Sequence, residues 1–317
     1  MKFLETLGRS SLAGKDTLSG PGIEWWQTRA GPVRILRGEA ASGPRLLFAA
    51  DGPNVIEQYA PLLAQLRGRA DTIVYEPPGT GGSLPASDFG FRLQDFATNA
   101  REVLEQSGPR VLVFPCYMSF VAGALTRESC PQVLGAVLPQ GPSWQQMHVW
   151  MDRVDPRRVL RTPILGQALL RMMPRRVARG WYAGSAGPAA RDALAAIADS
   201  TLGRGGCFCL ASITQYFQSG AAQLDDLGEV PTAVAWGDLD RSHGLPDAVS
   251  FPRVGCVEHF PHCGHSPELE APERFAAWLL DWCDEQGLSE KGSSSSADET
   301  GVDQTEFGLG ENLSIPR

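Results

Sequence analysis

The stretch Val111-Leu-Val-Phe-Pro-Cys-Tyr-Met-Ser-Phe-Val-Ala sets a thiol, Cys116, between a short apolar run and a helical pattern. A buried strand that turns sharply into a helix lifts its central side chain clear of the sheet. It also brings the next backbone N–H, here that of Tyr117, close beside it. A thiol in that position feels the positive end of the helix, which favours the reactive thiolate. A buried structural cysteine fits the same residue equally well, since burial is the common fate of free cysteines. The decision rests on partners, because a thiol nucleophile needs a proton acceptor, ordinarily an imidazole held by a carboxylate.

Eight short apolar, β-branched or aromatic runs must position that thiol. They are Ile23–Thr28, Val33–Gly38, Arg45–Ala50, Thr72–Glu76, Val111–Phe114, Leu134–Leu138, Thr232–Trp236 and Val254–His259. Helical patterns over Gln58–Leu66, Leu93–Gln106, Phe120–Arg127 and Pro272–Glu285 alternate with them. This alternation predicts an α/β fold with a mostly parallel eight-stranded sheet covered on both faces. It breaks between Trp144 and Leu227, where the pattern is helical and rich in arginine. The expected organisation is a core over 1–144 and 226–287, a helical cap over 145–225 inserted after the sixth strand, and a disordered acidic tail over 288–317.

Four loops carry a resemblance. Ala50-Asp51-Gly52-Pro53-Asn54 resembles the His-Gly loop that follows the third strand of the α/β-hydrolase superfamily. Glu76-Pro-Pro-Gly-Thr-Gly-Gly-Ser83 is similar to its Asp-x-x-Gly-x-Gly-x-Ser turn. Trp236-Gly-Asp-Leu-Asp-Arg241 resembles its acid loop, and Gly264-His265-Ser-Pro-Glu-Leu-Glu-Ala-Pro-Glu273 its histidine loop. The likeness runs from about Ile23 to Cys283, with the motifs in family order. It implies Cys116 as nucleophile, His265 as base and Asp240 as the orienting acid, with Asp238 the weaker candidate for the last role. Tyr117, Asn54, Gly52 and Met118 are implied around the oxyanion and substrate.

Three departures bear on activity. Phe114 and Met118 flank the nucleophile where the family has small residues, which predicts an elbow of altered packing or a relaxed turn. Asp51 replaces the family histidine, and Pro53 after Gly52 has no N–H to donate. The oxyanion site then rests on the Tyr117 N–H, with Asn54 as the second donor. Loss of one such donor costs about a hundred- to a thousandfold in rate.

The expected activity is acyl chemistry on a thioester, ester or lactone, as hydrolase, thioesterase or acyltransferase. The alternatives are a non-hydrolytic cyclase or lyase using His265 and Asp240 as acid–base groups, and a non-catalytic ligand-binding protein. Arginines from Arg153 to Arg179 suit either a solvated helical face or contact with coenzyme A or an acyl carrier protein. No cofactor is expected. His262-Cys263-x-His265 has metal-like spacing but no further ligands nearby in sequence, so no metal is expected. Pro77–Ser83 lacks the lysine of a phosphate loop. The net charge of −8 argues against nucleic acid. No apolar run approaches the roughly 20 residues of a membrane span, and the first residues do not read as a secretory signal. Seven scattered cysteines fit a reducing, cytoplasmic setting better than a disulfide framework.

Overall fold

The computed structural model describes residues 20–202, 208–216, 227–244 and 254–289. Strands β1 (Ile23–Thr28) and β2 (Gly31–Arg37) form an opening antiparallel hairpin. Gly31 has φ +109°, and a Cβ there would collide with the backbone of Leu84 and Ala86, so only glycine fits this turn. Then follow β3 (Arg45–Ala49), a 3-10 turn (Ile56–Tyr59), α1 (Ala60–Leu66), β4 (Asp71–Tyr75), α2 (Leu93–Ser107), β5 (Arg110–Val113), α3 (Met118–Arg127) and β6 (Val133–Pro139).

Among the described residues five helices come next: α4 (Trp144–Val154), α5 (Leu165–Met172), α6 (Pro174–Ser185), α7 (Arg191–Leu202) and α8 (Phe208–Tyr216). The chain returns to the sheet with β7 (Thr232–Gly237) and β8 (Cys256–Phe260), and closes with α9 (Pro267–Glu270) and α10 (Pro272–Glu285). The sheet order is β1-β2-β4-β3-β5-β6-β7-β8, parallel from β4 onward, with β2 antiparallel to β4.

Successive side chains of a strand point to opposite faces, and β5 shows the consequence. Leu112 packs into one core with Phe96, Val103 and Val121 from α2 and α3. Val111 and Val113 pack into the other with Leu62, Phe275 and Leu279 from α1 and α10. A strand buried on both faces reads as an uninterrupted apolar run, which is why it was legible. Each such Val or Leu contributes about 1.5–3 kcal/mol on burial, so β5 is a firm platform for the turn that follows it.

The eight expected strands are present with shifts of one or two residues at their ends. The helical pattern over 58–66 divides into the 3-10 turn and α1, because Pro61 has no N–H to continue a ladder and sits in the first turn of the new helix. Of the expected tail, Leu288 and Ser289 are described, and Ser289 bridges to Pro44; 290–317 lie outside the described residues. No helix among the described residues is long and apolar enough to cross a membrane.

Candidate active site

After β5 the backbone turns at Cys116, which has φ +46°. A non-glycine residue in this region is uncommon and is held there by its surroundings. The Cys116 N–H donates to Pro139 O at 2.9 Å, tying the turn to the end of β6, and Ser119 N donates to Cys116 O at 3.0 Å as α3 begins. The bulky flanks do not relax this turn. Phe114 is buried against the Tyr75 ring, 5.9 Å between centroids, and Met118 is wholly buried in the same core. Met118 therefore fills protein interior and does not line the cavity, contrary to its expected place beside substrate. Tyr117 does line it, with its ring edge-on to Phe96.

His265 and Asp240 come together as a pair, with Nδ1 3.0 Å from Oδ2. A carboxylate can only accept, so Nδ1 carries the proton and Nε2 is left for chemistry. Asp240 is fixed by three further donors: Ser242 Oγ at 2.6 Å, Gln140 Nε2 at 2.9 Å and the Ser242 N–H at 2.8 Å. The histidine loop is held by Glu270, which accepts from the N–H groups of Gly264 and Gly187 at 2.8 and 2.7 Å. Burial raises the Asp240 pKa, but His265 more than offsets this and keeps the carboxyl below its ordinary value. Burial likewise pulls His265 down, and Asp240 and the Cys116 sulfur more than reverse it, so the imidazole binds its proton more tightly than usual. Asp238 takes no part; it pairs on the surface with His259 at 2.7 Å.

Asp51 changes the electrostatics of the thiol. Its carboxyl is buried, Oδ2 stands 3.6 Å from His265 Nε2, and it interacts with the Cys116 thiol. Burial first, then the Asp51 charge, push the thiol up to about 11, against the opposing pull of His265. Desolvation and a neighbouring carboxylate thus oppose the thiolate that the start of α3 favours. Burial raises the Asp51 pKa as well.

The oxyanion loop also departs from expectation. Asn54 is spent elsewhere: its N–H donates to Asp51 O at 2.6 Å, its Nδ2 to Ser266 Oγ at 3.3 Å, and its Oδ1 accepts from Tyr182 Oη at 2.7 Å. Gly52 does line the cavity, and a Cβ on it would press on Leu210 and Thr80.

A cavity of about 480 Å³ opens over Cys116. Its walls are chiefly apolar, with Trp150, Met147, Leu170, Leu210 and Ile213 among them, and Arg153 and Arg241 contribute charge. Val177, Gly180, Trp181 and Gly184 of α6 also face it. Their spacing of three and four residues makes one helical stripe.

Solved structures of similar shape share this arrangement of sheet and helices. One is a Salmonella enterica protein assigned as an acyltransferase, 17% identical, with a TM-score of 0.66 over 84% of this chain and 96% of that one. Another is an epoxide hydrolase from an endophytic Streptomyces, 16% identical, TM-score 0.65 over 85% and 98%. A third is a haloalkane dehalogenase from Bradyrhizobium elkani, 17% identical, TM-score 0.63 over 84% and 99%. This chain has the α/β-hydrolase fold. No protein-family model and no curated protein sequence matches it.

Within this hydrolase fold, two loops lose the alternative roles that spacing allowed them. Glu76 lies inside its own glycine-rich turn, accepting from Gly82 N at 2.7 Å, Ile56 N at 3.2 Å and Arg34 Nη1 at 2.9 Å. A carboxylate occupies the place a phosphate would need. His262 and Cys263 do not gather with His265; instead Cys116, His243 and His265 bring ligand atoms within 4.8 Å of one another. His243 was not foreseen, and its sequence position three residues past Asp240 carries no spacing signal. Its ring packs against Trp236 and His265, at 5.7 and 5.4 Å between centroids. Burial and the neighbouring His265 hold its pKa down at about 3, so it is a neutral imidazole. Ser242 and Gln140 were likewise invisible, because polar residues in loops have no periodicity to reveal them.

Proposed function

We propose that the chain is an enzyme that handles acyl groups through Cys116, as a thioesterase, related hydrolase or acyltransferase. The observation carrying this reading is the placement of Cys116 at φ +46° on the elbow, beside a histidine whose Nδ1 is held by Asp240. In the proposed step His265 Nε2 takes the thiol proton as sulfur attacks the substrate carbonyl carbon. The leaving thiol or alcohol then departs with the proton returned by His265. Water or an acceptor hydroxyl, amine or thiol, deprotonated by the same nitrogen, attacks the acyl-thioester and frees Cys116.

The developing oxyanion would face the Tyr117 N–H. Asp51 suits this role only in its protonated form, in which it can donate; burial favours that form, as in other sites that keep a carboxylic acid neutral for this purpose. The apolar walls suit a hydrocarbon-bearing acyl group. The helices α4 to α8 would act as the cap over it. Arg153 and Arg241 on the cavity suit an anionic carrier such as coenzyme A or a phosphopantetheinyl group.

The test is intact-protein mass spectrometry after incubation with a panel of acyl thioesters. An adduct mapping to Cys116, absent in Cys116→Ala, is the expected result. A specific observation favours a second reading, acid–base cyclisation or elimination: Asp51 approaches both His265 and the thiol, and disfavours the thiolate. Turnover that survives Cys116→Ala and is lost in His265→Ala would select it.

A further inference from the structure

Cys116, His243 and His265 place one sulfur and two imidazoles within 4.8 Å of one another. These are the donor types that a thiophilic divalent transition metal selects. The cluster exceeds what a thiol–imidazole pair requires. Nε2 of His265 and Oδ1 of Asp51 are buried with no hydrogen-bond partner among the described residues, and of the two buried ring nitrogens of His243 at most one is engaged, by the Gly244 backbone. Polar atoms removed from water without partners are unfavourable unless something else satisfies them. His265 is also oriented as metal-ligating histidines are, its other ring nitrogen held by a carboxylate at 3.0 Å. Asp51 lies outside that trio, but its Oδ2 is 3.6 Å from His265 Nε2, near enough to supply an oxygen ligand after a small shift.

We infer that this cluster is a transition-metal site, in which Cys116 Sγ, one ring nitrogen of His243, His265 Nε2 and an Asp51 oxygen coordinate Zn²⁺. Neighbouring sulfur and nitrogen ligands of a tetrahedral zinc lie about 3.5 Å apart, so the three clustered donors need to close by about an ångström and the Asp51 oxygen to move in with them. On binding, a Zn–S bond replaces the S–H bond, and the thiol proton leaves to solvent together with any proton carried by Asp51 or by His265 Nε2. The thiolate and the Asp51 carboxylate then balance the two charges of the ion, leaving a neutral site in an apolar cavity. Cys116 and Asp51 both line that cavity, which provides the path of entry. Bound metal occupies the sulfur and the Nε2 lone pair together, so it switches off nucleophilic chemistry at Cys116 and a chelator restores it. Only this last consequence rests on the proposed acyl chemistry; coordination itself needs no turnover.

The test uses the full chain, stripped of metal and titrated with Co²⁺, then with Zn²⁺ in competition. The expected result is one equivalent of Co²⁺ with a near-ultraviolet thiolate-to-metal charge-transfer band and tetrahedral visible bands, displaced by Zn²⁺. Cys116→Ser should abolish the charge-transfer band. His243→Ala and His243→Gln should each weaken Zn²⁺ binding by at least about tenfold, with melting temperature and circular dichroism checked for both. A charge-transfer band that persists in Cys116→Ser, or undiminished Zn²⁺ affinity in both folded His243 variants, overturns the site. Wild-type protein that forms a Cys116 acyl adduct but shows no charge-transfer band also overturns it, while leaving the acyl reading intact. A band without adduct formation does the reverse.

Discussion

The Asp51 carboxylate stands 3.6 Å from Nε2 of His265, on the side of the imidazole opposite Asp240. The histidine is thus bracketed by two acids, and the thiol that needs its nitrogen faces one of them. Ionised Asp51 opposes the thiolate, which is the second cause, after burial, of a Cys116 thiol raised to about 11. Removing that charge should let the thiolate form at lower pH. We expect Asp51→Asn to move the pH midpoint of iodoacetamide labelling at Cys116 downward, with faster labelling near pH 8. An unmoved or higher midpoint would show that Asp51 does not set the reactivity of the thiol.

Asp240 and Asp238 sit two residues apart and do different things. Asp240 orients His265 and receives Ser242 and Gln140; Asp238 pairs with His259 at the surface. Asp240→Asn removes the acceptor that keeps the proton on Nδ1. By analogy with other triads it should lower acyl turnover by about 10³- to 10⁴-fold. Asp238→Asn should change turnover by no more than about twofold, in keeping with a weak exposed ion pair. Steady-state rates of the two variants on one acyl thioester decide it, and equal losses would refute the assignment.

The parts of this site that a single sequence exposed are those tied to periodic elements. Val111–Val113 announces a strand by composition, and the residues that follow announce a helix, so the location of Cys116 between them was legible. His265 and Asp240 were legible as loops in family order. The electrostatics were not, because they depend on how far apart loops end up. Asp51 could be read as a departure from the family, but nothing in the chain says that its oxygen reaches His265 and the thiol. Asn54 looked like a donor until the fold committed it to Asp51, Ser266 and Tyr182. His243, in a loop without pattern, had no sequence signal at all.

Gly180 and Gly184 place two poor helix formers on the cavity face of α6, and a Cβ at either would meet nothing within 4 Å. Ordinary helix propensity favours alanine over glycine by about 1 kcal/mol. Gly184→Ala should therefore raise the melting temperature without closing the cavity. Gly180→Trp should instead fill space over the pocket and raise KM for long acyl chains more than for acetyl substrates. A uniform effect across chain lengths would mean that this stripe does not bound the substrate.

Glu268 lies behind the histidine loop, wholly buried, and no other described residue hydrogen-bonds to either oxygen. Burial raises its pKa to about 8, although its own backbone N–H and then His265 pull the other way. The sign of the linkage follows. A carboxyl with a raised pKa in the folded state holds a proton that the unfolded chain releases above its ordinary value of 4.5. Its contribution to stability is fully present below that value and is lost as pH rises through about 8, at about 1.4 kcal/mol per pH unit. Glu268→Gln has nearly the same shape and does not titrate. Its melting temperature relative to wild type should thus rise between about pH 5 and pH 8 and level off above, as the wild-type carboxyl becomes increasingly costly to keep buried. A constant difference across that range, or one that shrinks as pH rises, would show that Glu268 is not protonated in the folded protein.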